Sequence, residues 1–191
     1  MRKLTRIAVF CGSNVGRGDT FVKAASRLGT EIAQRGIEIV FGGTNKGLMG
    51  SLADAALASD GCVHGVITER LANLDHLHPQ LTSHEITPDM HARKARMAQM
   101  ADAFIALPGG IGTTEEFVEA WTLNQLGYFD KPVGLLDVGG YFQPFLTFID
   151  MMVEQQFLPE THRHSVVVNR NPAALIDDLE VSSPIIQPKW L

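Results

Sequence analysis

Side chains capable of acid–base chemistry cluster in one short stretch of the sequence. Three carboxylates, Glu115, Glu116 and Glu119, follow the glycine-rich segment PGGIGT at residues 108–113. Glu116 and Glu119 are spaced i, i+3, so a helix can direct one of them toward the glycine segment. A carboxylate there can orient or deprotonate water, or stabilise a cationic transition state. These residues are therefore candidate catalytic groups.

The glycine-rich segment itself is a candidate phosphate cradle. The apolar run 103–107 before it is typical of a buried strand, and glycines let the backbone approach a ligand closely. We predict that Thr113 and Thr114 cap a helix over 115–126, whose N-terminal N–H groups favour an anion. Glu115 is interpreted as favouring the helix dipole. The segment lacks the lysine of a triphosphate-binding loop and the G-x-G-x-x-G order of a dinucleotide turn. A tight connection without a ligand is the alternative.

Two cations precede this segment in DMHARKARM, residues 89–97. On a helix, Arg93 and Lys94 border an apolar stripe. Arg93 has the planar donor geometry for phosphate or carboxylate. Because a carboxylate beside a phosphate would be repelled, we place Arg93 between the phosphate and Glu116. The alternative is that both cations extend into solvent.

Short β-rich runs alternate with longer helical patterns along the chain. Strands are predicted at 7–11, 37–41, 62–67, 103–107, 132–137 and 165–169, and helices at 20–35, 51–59, 89–101, 115–126, 141–156 and 172–180. Residues 68–85 are polar and broken, and we expect a lid-like or packing segment with only short helix. The alternation predicts an α/β fold: a single-domain, Rossmann-like, doubly wound, mostly parallel sheet with helices on both faces. The domain is expected to cover 1–180, followed by a C-terminal tail at 181–191.

Three glycine-rich turns follow predicted strands, at 11–14, 42–50 and 108–113. In doubly wound folds, ligands bind beyond the carboxyl ends of the strands. We expect the three turns to form one glycine-lined rim around a nucleotide-sized ligand. The same turns would also allow helices to pack tightly on the sheet, which is the alternative.

Composition narrows the classes of function. The 191 residues are 45% hydrophobic and carry a formal net charge of -5 without a long basic run, which disfavours a nucleic-acid surface. The chain has neither a secretory signal nor a membrane-spanning run, so we expect a soluble cytoplasmic protein. Cys11 and Cys62 fall in apolar runs without metal-ligand spacing and are expected to be buried free thiols. No metal site is expected.

The motifs match a known family. PGGIGTTEE fits the pattern P-G-G-x-G-T-x-x-E, and MHARKARM fits M-H-x-R-K-x-x-M. Both patterns belong to the Lonely Guy family of cytokinin riboside 5′-monophosphate phosphoribohydrolases, which the chain resembles over nearly its whole length. VFCGSN, FGGTNKGLMG and LNQLGYFDKPVGLLDVGGYF are also similar to that family.

The resemblance implies an activity. Such enzymes hydrolyse the N-glycosidic bond of a nucleoside 5′-monophosphate to free base and ribose 5-phosphate, without a metal or redox cofactor. The implied catalytic residues are Arg93 and Glu116. The implied substrate and phosphate contacts are Lys94, Gly109, Gly110, Gly112, Thr113, Asp75 and Met90. The resemblance also implies a homodimer and no membrane or nucleic-acid partner.

Some positions depart from the family pattern. Thr44 and Asn45 replace another glycine and a small residue, and Asp75 stands where the family has a substrate-contact Glu. These changes concern base selectivity more than chemistry. His91 belongs to the family motif and is expected to bind or pack. The other histidines lack ligand spacing, and we expect surface roles for His64, His76, His78, His84, His162 and His164.

Two other functions remain open at this point. Proteins with this motif are also labelled lysine decarboxylases, a chemistry that normally uses pyridoxal phosphate on a lysine. Lys94 is the one lysine we assign to that role, and the chain is short for such an enzyme. A nucleotide-binding protein without catalysis is the second alternative. The presence of both Arg93 and Glu116 argues against it.

Overall fold

The computed structural model of the protein describes residues 2–182. Within this range strands and helices alternate, as the sequence predicts. The strands are β1 Arg6–Phe10, β2 Glu38–Phe41, β3 Val63–Thr68, β4 Ser83–Thr87, β5 Ala103–Ala106, β6 Val133–Leu136 and β7 Val166–Asn169. The helices are α1 Thr20–Gln34, α2 Gly47–Leu57, α3 Glu69–Ala72, α4 Met90–Met100, α5 Ile111–Gln125, α6 Gln143–Glu154, α7 Glu160–His164 and α8 Pro172–Val181. A 3₁₀ turn occupies Val138–Gly140.

The strands form one seven-stranded sheet in the order β4-β3-β2-β1-β5-β6-β7. All six strand pairs are parallel. The strand order reverses between β1 and β5, and this switch point is where doubly wound folds open a ligand crevice. The predicted Rossmann-like fold is confirmed, and the sheet is parallel throughout.

The core has two apolar layers, one on each face of the sheet. Successive side chains of a strand point to opposite faces, so Ile7 and Val9 of β1 join the layer under α1, α2 and α8. Ala8 and Phe10 join the layer under α4, α5 and α6. The central strands are buried on both faces, which explains their continuous apolar sequence. The sheet is thus a rigid platform for the turns at its carboxyl edge.

Two helices begin four residues earlier than predicted. α2 begins at Gly47 instead of Ser51, and α5 begins at Ile111 instead of Glu115. Glycine has low helix propensity, so the glycines in these first turns disfavoured helix in the sequence pattern. The N-cap of α5 is Gly110, and no side chain caps it. The predicted capping by Thr113 and Thr114 is therefore wrong, since both lie inside the first turn.

The segment 68–85 contains more regular structure than predicted. It holds the short helix α3, as expected, but its end forms the edge strand β4, which pairs with β3 along its whole length. The pattern of β4 is largely polar and exposed, because only one neighbour covers it. The short helix α7 was also not predicted.

Further expectations concern the cysteines, the tail and the membrane. Cys11 is buried, but Cys62 is exposed because it precedes β3 at the surface, so its predicted burial is wrong. Within residues 2–182, no helix has the length and apolar character needed to cross a membrane. Val181 ends α8, and residues 183–191 of the predicted tail lie outside the described residues.

Candidate active site

The three glycine-rich turns meet at the carboxyl edge of the sheet. They follow β2, β1 and β5, which are adjacent strands. Backbone hydrogen bonds join them: Gly12 N donates to Pro108 O at 3.1 Å, and Leu48 N donates to Gly12 O at 2.9 Å. The predicted glycine-lined rim is thus present as one connected structure.

A cavity of about 620 Å³ opens beside this rim, and we call it the glycine-lined cavity. Its size lies in the usual range for small-molecule sites. It is lined by Cys11, Ser13, Gly42, Thr44, Lys46, Met49, Leu71, His76, Met90, Arg93, Gly110, Ile111, Gly112, Thr113 and Glu116. The candidate residues Met90, Arg93, Gly110, Gly112, Thr113 and Glu116 are therefore brought together.

The PGGIGT turn presents the start of α5 to this cavity. The first helical N–H groups have no carbonyl partner within the helix, so they form a site for an anion. Gly109 lies just behind the cavity, where a Cβ atom would overlap the buried side chain of Thr113. The Tyr141 hydroxyl donates a hydrogen bond to the Gly109 carbonyl and fixes the turn from outside.

Arg93 is buried, so the solvent-exposed alternative does not apply to it. Its Nε donates to the Val66 carbonyl of β3 at 2.9 Å. Its Nη1 lies 3.5 Å from Oε1 of Glu116. A Cβ atom at residue 42 would overlap the guanidinium, which explains why glycine is needed there. Arg93 is thus held in one orientation by the sheet and turned toward the carboxylate.

Glu116 lies on α5 with only 12% of its side chain exposed. Burial raises the pKa of this carboxyl above its ordinary value, while the positive charge of Arg93 acts in the opposite direction. A carboxylate with a raised pKa is a better proton acceptor. Glu116 therefore combines the position and the basicity that a catalytic base needs.

Lys94 lies outside the glycine-lined cavity. Its Nζ contacts Glu115 and lies 2.7 Å from Oε2 of Glu119. Burial opposes the charged amine, but the hydrogen bonds to these carboxylates outweigh it and raise the pKa of Lys94. The interpretation of Glu115 as a dipole-stabilising residue of the first turn is wrong, because it lies beyond that turn and pairs with Lys94. Lys94 and Glu119 line a second cavity of about 530 Å³ between α4 and α5, which Glu116 also borders.

Asp75 and the histidines are placed differently from expectation. Asp75 is exposed, has a positive φ of 59°, and does not line the glycine-lined cavity. The predicted surface role is wrong for His78 and His162, which are buried, and for His76, which lines the cavity. His78 receives a partner from α2, since its Nε2 lies 3.0 Å from Oδ1 of Asp54.

Several cavity residues were not assigned from the sequence. Lys46 and Ser13 come from the other two glycine turns, and topology alone brings them to the switch point. Cys11 also lines the cavity, but burial and then the charge on Glu116 raise the pKa of its thiol far above the ordinary range. The thiol thus stays protonated and does not act as a nucleophile.

The fold and the cavity define an α/β protein of the Rossmann-like class with a cavity at its topological switch point, where such folds bind ligands. Residues 49–179 match the family model described as "Possible lysine decarboxylase". A cytokinin riboside 5′-monophosphate phosphoribohydrolase of Arabidopsis thaliana is 45% identical over 178 residues, covering 93% of this chain and 84% of the relative. A second enzyme of that name from the same plant is 43% identical over 182 residues, covering 95% and 85%. The chain belongs to this phosphoribohydrolase family.

Solved structures show how widely the fold is used. The molybdenum cofactor carrier protein of Chlamydomonas reinhardtii superposes with a TM-score of 0.71 at 21% identity, covering 93% of this chain and 98% of the carrier. Identity at this level shows a shared fold alone. Function must therefore be argued from the site.

Replacing Arg93 by Lys tests whether the planar guanidinium is needed. Lysine keeps the charge but cannot donate to Val66 and face Glu116 together, so kcat/KM for a nucleotide substrate should fall by about 10- to 100-fold, the cost of one charged hydrogen bond. Steady-state kinetics measures this. Arg96→Lys is the matched control, because Arg96 lies on the same helix in an exposed pair with Glu85. Equal rates for Arg93→Lys and wild type would mean that a diffuse positive charge suffices.

Proposed function

We propose that this protein hydrolyses the N-glycosidic bond of cytokinin riboside 5′-monophosphates and of AMP, releasing the free base and ribose 5-phosphate. The observation that carries the proposal is the largely buried Glu116 carboxylate, which lies 3.5 Å from the Arg93 guanidinium on the wall of the glycine-lined cavity. The names of the curated relatives, such as the two Arabidopsis enzymes, support it.

Glu116 is assigned to the reacting sugar. As the glycosidic bond breaks, positive charge develops on the ribose ring, and a nearby carboxylate stabilises that charge. The same carboxylate orients a water molecule and accepts its proton as the water oxygen bonds to C1′. The raised pKa of Glu116 favours this proton transfer.

Gly110, Gly112 and Thr113 are assigned to the 5′-phosphate. Their backbone N–H groups at the start of α5 bind the anion without needing a lysine. Arg93 lies between these groups and β3, where its charge offsets the repulsion between phosphate and Glu116. Binding energy from the phosphate, which does not react, then positions C1′ against Glu116.

Lysine decarboxylation is the less favoured function. It requires a lysine amine that can form a Schiff base with pyridoxal phosphate. The candidate Lys94 is paired with Glu115 and Glu119, and it lines the other cavity. The phosphate-binding turn and Lys94 therefore do not face the same space. Lys46 does line the glycine-lined cavity, but it is exposed and lies in a different turn.

The proposal extends to assembly and location. We propose a homodimer, as the family resemblance implies. The exposed apolar side chains of α5, Ile111 and Val118, agree with a covered helix face. Light scattering on the purified protein would measure the mass.

We also propose a cytoplasmic location, because the substrates are intracellular metabolites, and cell fractionation tests this.

The direct test is the release of free base from nucleotides. Purified protein is incubated with AMP and, separately, with isopentenyladenosine 5′-monophosphate, and the products are separated by chromatography. We expect free base and ribose 5-phosphate in equal amounts. Lysine with added pyridoxal phosphate is the parallel reaction. Its decarboxylation, with no base released from either nucleotide, would contradict the proposal.

A further inference from the structure

The strand order gives the glycine-lined cavity two distinct ends. The PGGIGT turn after β5 forms one end, and Leu71 and His76, which follow β3, form the other. The turns after β1 and β2 lie between them. Neighbouring strands are about 4.8 Å apart, so three spacings separate the ends by roughly 14 Å. This span suits an extended nucleoside monophosphate, and if the phosphate lies at the PGGIGT turn, the base lies at the His76 end.

The wall around His76 is fixed by backbone pairing. Asn45 N donates to His76 O at 3.0 Å, and His78 N donates to Gly43 O at 2.9 Å. Thr44 and Leu77 form an antiparallel bridge between these two bonds. The segment after α3 is therefore attached to the glycine turn that follows β2. His76 is held at the cavity by this turn and does not depend on its own side chain for position.

The imidazole ring of His76 has a defined donor side. Nδ1 is withdrawn from solvent, and it has no hydrogen-bond partner in residues 2–182. Nε2 is accessible to solvent. It also makes no hydrogen bond with a side chain or backbone group of residues 2–182. Nδ1 has no partner in either neutral tautomer, and a buried N–H without an acceptor is rarer in proteins than a buried acceptor without a donor. The neutral ring thus carries its proton on Nε2, the accessible side of a residue that lines the cavity.

We propose that His76 contacts the base of the bound nucleotide and donates a hydrogen bond from Nε2 to a ring nitrogen of the departing purine. This inference rests on the proposed function and assigns the leaving-group contact that Arg93 and Glu116 do not supply. The bond between C1′ and the base nitrogen breaks, and its electron pair stays on the base. The water oxygen bonds to C1′, and the water proton passes to Glu116 and through solvent to the base. His76 keeps its proton and stabilises the negative charge that develops on the base.

The apolar residues beside His76 fit this assignment. Leu71 lines the same end of the cavity, and Met49 lines the cavity from the neighbouring turn after β2. Both side chains offer contact area to a flat ring. A purine presents ring nitrogens as hydrogen-bond acceptors at its edge, which a single N–H donor can recognise. The class of ligand at this end is therefore a purine base, with or without a side chain on its exocyclic nitrogen.

Leaving groups of different basicity test the proposal. His76→Leu removes the donor, and His76→Gln restores an N–H group close to the position of Nε2. Each variant is assayed with AMP and with p-nitrophenyl riboside 5-phosphate, whose phenolate departs without help from a donor. For His76→Leu we expect kcat/KM to fall about 10- to 100-fold with AMP, the worth of a charged hydrogen bond. The p-nitrophenyl substrate should be cleaved at nearly the wild-type rate, and His76→Gln should recover much of the loss with AMP. His84→Leu, at an exposed histidine of β4, should leave both rates unchanged.

Other outcomes separate this inference from the proposed function. Equal losses with both substrates would show that His76 only shapes the cavity, and unchanged rates with both would show that it does not contact the base. Either result overturns the role of His76 while leaving the hydrolase proposal in place. Wild-type protein that cleaves neither substrate would remove the proposed function, and the role of His76 with it.

Discussion

Glu116→Gln is expected to lower kcat for AMP hydrolysis by about 10²- to 10⁴-fold, the usual contribution of a positioned acid–base group. Glutamine keeps the shape of the side chain but neither accepts a proton nor stabilises a cationic ribose. The loss should appear in kcat, with a small change in KM, because the phosphate contacts at the start of α5 remain intact. Rapid-quench or steady-state kinetics measures both constants.

Glu115→Gln is the matched control for this variant. Glu115 is adjacent in sequence, but it pairs with Lys94 outside the glycine-lined cavity, so its rate should stay within about threefold of wild type, as expected for a surface ion pair. Similar losses in both variants would mean that the two carboxylates act together and that Glu116 has no special role.

Thermal unfolding shows whether Glu116→Gln loses its fold. Because burial raises the folded-state pKa of Glu116, its stabilising contribution is present at low pH and is lost as the pH rises through that pKa. At neutral pH the ionised carboxylate opposes folding. The Tm of Glu116→Gln should therefore equal or exceed that of wild type, and a large decrease would attribute lost activity to unfolding.

The second large effect concerns the substrate. Adenosine should be cleaved with a kcat/KM on the order of 10³-fold or more below that of AMP, because a charged hydrogen bond contributes about 1.5–3 kcal/mol and the phosphate makes several. Without the phosphate, the donors at Gly110, Gly112 and Thr113 and the charge of Arg93 lose their partner. The base contacts at the other end of the cavity remain unchanged.

Parallel measurements of kcat/KM for AMP and adenosine test this requirement. Inorganic phosphate is the control, because it fills the anion site without being linked to the sugar. When it is added to the AMP reaction, it should inhibit hydrolysis in competition with AMP. Comparable rates for AMP and adenosine would contradict the phosphate role of the PGGIGT turn even if base release were confirmed.

The fold was largely predictable because local and global signals agree. The central strands β1, β2 and β5 are apolar runs that each end in a glycine turn, and they were predicted to within one residue at each end. The starts of α2 and α5 were predicted four residues too late, because glycine disfavours helix locally. Tertiary packing explains one of these glycines, because a Cβ atom at Gly47 would overlap the backbone of Ser13 in the turn after β1. Such contacts leave no local pattern in the sequence.

The site was predictable where motifs carry its geometry. The spacing of Arg93 and Glu116 against a glycine turn indicated a paired cation and carboxylate, and the structure brings the two together. The sequence could not decide whether Arg93 and Lys94 extend into solvent, because the burial of helix residues is fixed only when α4 docks on the sheet. His76 gave no signal, since its place in the cavity depends on pairing with residues 43–45.

The two ends of the cavity are built on parts of the fold that tolerate change unequally. The PGGIGT turn follows a strand at the middle of the sheet, where insertions would disturb neighbours on both sides. The segment that holds His76 connects β3 to the edge strand β4, and loops at such places accept substitutions and insertions readily. Mutation can therefore diversify which base is accepted while the anion anchor and the chemistry stay fixed. The same layout makes the segment 69–82 the natural target for a directed-evolution library that seeks new nucleobase selectivity on this scaffold.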